Sequence, residues 1–156
     1  MMTFNPFSVS VYRKYLSVFL LLFIGMVAFA QEPSLMVISN AKGAPSNMKM
    51  SELKSVMKGE KQRWSDGTKV SIYLMKTATP LGKSTCAKVY NMSGDKVRRF
   101  WLELTFGGKA DAPVFCNTVE ELESQVSQNP GSIGILDKSA GSSGTKTIMI
   151  DGKTSF

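Results

Sequence analysis

The residues most able to do chemistry lie between positions 76 and 85, in the run KTATPLGKST. A strand, a loop and Gly-Lys-Ser is how a nucleotide-binding phosphate loop ends, and Gly82-Lys83-Ser84 offers that ending. The loop also needs a glycine five positions before Gly82, where Thr77 stands, so this reading fails. Catalysis has little else to draw on. The chain has no histidine, the commonest side-chain base, and its two cysteines, Cys86 and Cys116, suit a bridge better than nucleophilic attack. Glu120, Glu121 and Glu123 are close in sequence, yet on a helix they point in different directions and serve as acids at its positive end. Ten methionines raise the question of a soft metal. They are scattered, and core packing accounts better for Met50, Met57 and Met149. The residues therefore suggest no enzyme, no metal and no cofactor.

Whatever these side chains do, the fold must position them, and the clearest part of it is residues 118–137, TVEELESQVSQNPGSIGILD. Thr118 with Glu121 three residues on is a capping box. Val119, Leu122 and Val126 make one buried helical face, and Asn129-Pro130-Gly131 stops the helix. Residues 132–136 then read as a buried strand whose Gly134 lets a neighbour pack close. Upstream, residues 35–38 (LMVI) read as a first strand and residues 40–47 as a loop. Met50, Leu53, Val56 and Met57 fit a helix closed by Lys58-Gly59, and Trp64 packs the following polar connection onto the body of the domain. Residues 70–74 alternate into a second strand, and a helix after Pro80 carries Cys86, Val89 and Tyr90. Beyond a break at Ser93-Gly94, the spacing of Val97, Phe100, Trp101 and Leu104 predicts the strongest amphipathic helix, expected as the main apolar lid on the sheet. Residues 113–117 form a short strand, 139–144 (SAGSSG) a linker, and 147–150 a final strand. Strands and helices in this order imply a layered α/β domain.

Residues 1–30 read as a signal peptide. Arg13 and Lys14 precede an apolar run, residues 16–30, that ends in the small-x-small form Ala28-Phe29-Ala30. The alternative is a membrane anchor, but the run is shorter than the roughly 20 residues a span needs. Cleavage would leave residues 31–156 as one domain and no stable membrane span. The leader carries two basic residues and no acid, so the remainder keeps +5 of the chain's +7 charge. In a cytosolic protein that charge would raise nucleic acid as a partner; in an exported one, small anions and envelope polymers are the relevant counterparts. Cys86 and Cys116 would lie in a compartment where disulfides persist, and the even pair favours one bridge. Two buried thiols are the alternative.

Taken in order, the runs MSELKSVMKGEKQRWSDG (residues 50–67), VRRFWLELTFGGKADAP (97–113), VEELESQVSQNPGSIGILD and TIMIDG are similar to one lobe of a periplasmic solute-binding protein of the phosphate-transporter type. The resemblance covers most of residues 35–152. It implies a single, three-layer-like α/β lobe of a type II periplasmic binding protein, with a mixed sheet of about five strands flanked by helices. In two-lobed relatives an oxyanion is held where a strand gives way to a helix, by an arginine and a Ser-Gly-Thr triplet; helix N-termini suit such a ligand. The matching residues here are Lys76, near the arginine's place, with Thr77, Gly82, Lys83, Ser84 and Thr85, although the triplet's order is not kept. A capped helix start is the competing account of the same segment.

The resemblance implies a periplasmic or secreted, non-enzymatic protein that binds phosphate or another small anion, for an ABC-type system. The second expectation is an assembly component of the envelope or a surface apparatus, which uses the lobe to bind a protein partner.

Overall fold

β1 (Leu35–Asn40) is the strand around which the sheet is built, buried along nearly its whole length. The structure, a computed structural model, describes residues 34–137 and 144–156. The expected leader and, except for Gly144, the expected linker lie outside the described residues. Burial on both faces suits apolar and small residues alone, which is why Leu35, Val37 and Ile38 read as a run rather than an alternation. β1 pairs antiparallel with β5 (Ser132–Asp137) on one side and with β6 (Thr145–Ile150) on the other. Beyond β6 lies β2 (Asn47–Met48), parallel to it; beyond β5 come β3 (Ser71–Met75) and then β4 (Val114–Cys116), both parallel. The sheet is therefore mixed and has six strands, ordered β2-β6-β1-β5-β3-β4. β2 starts on Asn47, the last residue of the expected loop; two residues of pairing leave no periodicity to read.

Among the described residues, four helices flank the sheet. In α1 (Met50–Met57), Leu53, Val56 and Met57 are buried at the predicted spacing, and Gly59 follows in the left-handed region at φ 73°. α2 (Pro80–Thr85) passes directly into a π-helical turn, Cys86–Tyr90, which Asn91 ends with a left-handed φ of 54°. α3 (Gly94–Phe106) is capped by Ser93, and α4 (Val119–Gln128) by Thr118, whose hydroxyl accepts the Glu121 amide at 3.2 Å. The Glu121 carboxylate reaches back to the Asn117 amide at 2.7 Å, completing the predicted box one residue earlier than its usual form.

The helix that covers the sheet is α4. A Cβ built on Gly134 of β5 would stand 2.7 Å from Leu122 and 3.3 Å from Val126, so the missing side chain is what lets the helix settle. Leu122 and Val126 are fully buried there, each worth roughly 1.5–3 kcal/mol. α3 takes another place than expected. It packs chiefly on the π-helical turn, where Trp101 Nε1 donates to the Tyr90 hydroxyl at 3.2 Å and that hydroxyl donates to the Met57 carbonyl at 2.6 Å. Periodicity reveals that a helix has an apolar face; it does not say which surface meets it. The chain crosses from β3 to β4 through α2 and α3, and returns past β3 to β5 through α4. Right-handed crossovers in opposite directions put α2 and α3 on one face and α4 on the other.

Trp64 behaves as predicted, buried with its Nε1 donating to the Gly131 carbonyl at 2.8 Å. Among the described residues, no helix is long and apolar enough to cross a membrane.

Candidate functional site

At the end of β3 the chain folds into a tight knot. The Lys76 amide donates to the Cys116 carbonyl at 3.0 Å, while the Lys76 carbonyl accepts the Thr79 amide at 2.9 Å and the Thr79 hydroxyl at 2.8 Å. The same hydroxyl accepts the Gly82 amide at 3.0 Å, so Thr79 caps α2. The next helical turn lies directly against this carbonyl: a Cβ on Gly82 would stand 2.1 Å from it. Gly82 is thus needed for close approach of backbone to backbone. Of the other expected ligand residues, Thr85 is buried in the core face of α2 and Ser84 is half-buried on the helix.

Thr77 and Lys83 are the two that share a cavity. They line a cleft of about 460 Å³ with Ala78, Ala87, Met92, Ser93, Gly94, Asp95 and Arg98. It lies beyond the C-terminal end of β3, between α2 with its π-helical turn and the start of α3. In open α/β sheets that end of the parallel strands is where ligands bind. Gly94 closes the distance between the two walls, since a Cβ there would stand 2.8 Å from Thr77. Arg98 reaches back one turn to Asp95 in an exposed ion pair, so the cleft holds two cations and one carboxylate. Arg98, Met92 and the Ser93-Gly94 corner are cleft residues that sequence reasoning does not single out for binding. The available signal was the capped start of α3 directly after a break.

Lys76 does not line this cleft. It stands exposed at the strand end, and its charge acts on Glu121. The Glu121 carboxyl is held below its ordinary range first by the backbone amide and then by the side chain of Asn117, with Lys76 adding to the effect. The start of α4 already holds an internal anion, which leaves the neighbouring cleft as the better candidate.

The expected bridge between Cys86 and Cys116 is not formed: both are free, buried thiols. The register explains this. Tyr73 pairs with Gly134, the residue under α4, so Met75 and its partner Cys116 face α4, whereas Cys86 belongs to the segment on the opposite face. The sheet stands between them. Burial raises the Cys86 thiol and pushes Cys116 up to about 11. Among the described residues, no group of three or more His, Cys, Asp or Glu gathers to hold a metal. A second cleft of about 160 Å³ lies near the N-terminal ends of β3 and β4, where Lys61 and Lys69 are engaged by Glu52 and Asp111.

No protein family matches the sequence, and no curated protein does. The fold, however, matches solved structures. An ABC-type phosphate transport receptor from Vibrio cholerae superposes with a TM-score of 0.57 at 12% identity, over 80% of this chain and 49% of that one. A putative phosphate ABC transporter substrate-binding protein from Clostridium perfringens, solved with bound phosphate, gives 0.57 at 10% identity, over 78% and 46%. PstS from Borrelia burgdorferi gives 0.55 at 14%, over 78% and 48%. The chain thus has the fold of one lobe of phosphate-type substrate-binding proteins and spans about half the length of the structures it matches.

Proposed function

We propose that this is an exported, non-enzymatic binding protein that holds a small oxyanion, phosphate among them, for an ABC-type system in the periplasm or outside the cell. In this reading residues 1–30 are a cleaved signal peptide and residues 31–156 the binding domain. Lys83 and Arg98 supply the positive charge, Thr77 a hydroxyl, and the Thr79-capped turn with Gly82 holds the cleft's wall. Lys76, Ser84 and Thr85 act around the site rather than on the ligand. The observation that carries the proposal is the cleft itself: two cations, one of them on the first turns of a 13-residue helix, at the C-terminal end of a parallel strand. The fold shared with proteins named for phosphate supports the same reading.

Thermal melting in millimolar phosphate or sulfate is the test. Ligand at a hundredfold excess over its dissociation constant stabilises by about 2.7 kcal/mol, a shift of several degrees for a domain of this size. The double substitution Lys83→Gln and Arg98→Gln should remove that shift without lowering the ligand-free melting temperature. A wild-type melting point that no oxyanion moves would overturn the proposal.

A second reading, an envelope or surface-apparatus component that binds a protein, is favoured by one feature of α3. Leu102 and Phe106, one turn apart, are 56% and 87% exposed. Light scattering showing a stable oligomer, or capture of a specific envelope protein lost on Phe106→Ser, would support it.

A further inference from the structure

We infer that the cleft between α2 and α3 takes an organic oxyanion, a tetrahedral anionic head on a short apolar body, in preference to a bare inorganic ion. This rests on the oxyanion reading of the site and goes beyond it. The cleft's polar and apolar groups are both present in quantity. Lys83 and Arg98 bring cations, while Ala78, Ala87 and Met92 give an apolar wall. Met92 is half-buried and packed against the hydrophobic core, so that wall is fixed in place.

Size points the same way. About 460 Å³ falls within the roughly 300–1,000 Å³ typical of small-molecule sites. Inorganic phosphate has five heavy atoms and would leave most of that space to water. It would also leave the methionine and alanine surface without a partner, because an inorganic oxyanion gains from polar neighbours and nothing from apolar ones. A phosphonate or phosphomonoester uses both halves: its head meets the lysine and arginine, and its body removes the apolar wall from water. Asp95 makes the body's contribution matter more in absolute terms. Its carboxylate already engages Arg98, so a ligand anion must compete for the guanidinium, and binding through the head alone is weakened.

Calorimetric titration of the purified protein with inorganic phosphate, methylphosphonate and phenylphosphonate tests this. Phenylphosphonate should bind at least about tenfold more tightly than phosphate, with methylphosphonate between them. Ala87→Gln, at an exposed position where folding is not at stake, should narrow that ratio to about threefold or less. Asp95→Asn should strengthen all three ligands by about the same factor. Phosphate binding as tightly as phenylphosphonate, or an unchanged ratio in Ala87→Gln, would overturn the inference and leave the oxyanion reading standing. Binding of none of the three, by wild type or Asp95→Asn, would overturn both.

Discussion

Gly82 is the least replaceable residue of the candidate site, and the reason is a carbonyl rather than a ligand. With only 2.1 Å between a would-be Cβ and the Lys76 oxygen, Gly82→Ala must move backbone, not a flexible side chain. We expect it to cost about 1–3 kcal/mol or more in chemical denaturation, while Lys83→Gln, one residue away and exposed, changes stability by under about 0.5 kcal/mol. A neutral Gly82→Ala would contradict the knot at the end of β3. Glu121 makes the complementary case, a charge that serves the fold. Its carboxyl titrates below the ordinary 4.5 in the folded protein. The stability it gives is therefore fully present above that ordinary value and is lost as pH falls through the lowered one. Urea unfolding should find Glu121→Gln less stable than wild type at pH 7, and the difference should shrink toward zero as pH is taken well below 4. A difference that persists in acid would mean the carboxylate's charge is not what matters.

At the scale of elements, α3 and α4 exchange the roles that sequence alone suggests. Both show a clear apolar face, and the longer, more aromatic α3 looks like the stronger sheet cover. The sheet selects otherwise, since Gly134 leaves a gap that only α4 fills, and α3 buries Val97 and Trp101 against the turn around Tyr90. Trp101→Ala should still cost about 3–5 kcal/mol, because the indole is 2% exposed whichever surface it meets. Phe106→Ser should cost almost nothing. Circular dichroism melts of the two variants separate these expectations, and a large loss in Phe106→Ser would show that this ring is covered. Most elements were legible because their signals are local: the Thr118 cap, the Asn129-Pro130-Gly131 stop, the run at β1. What escaped was set by distance in sequence. β2 is too short to carry a pattern, the cysteines' opposite faces follow from strand register, and Arg98 joins Lys83 only because α3 folds back beside α2.

Across the whole molecule, the residues of the candidate cleft were half visible for the same reason. Residues 76–85 stood out by composition, yet only Thr77 and Lys83 of those expected residues reach the cleft, and its second cation, Arg98, comes from the far side of the Ser93-Gly94 corner. The chain spans about half the length of the solved structures that share its fold.

The place of β1 has a further consequence, for the order of events in making the protein. Leu35 pairs with Asp137 and Asn40 with Thr145, so the first described strand finds its neighbours only in the last ones. Such long-range closure is slow. A nascent chain emerging from the ribosome holds a central strand with nothing to zip to until β5 and β6, about a hundred residues further on, are synthesised. Until then the amides and carbonyls of β1 have no strand to bond to.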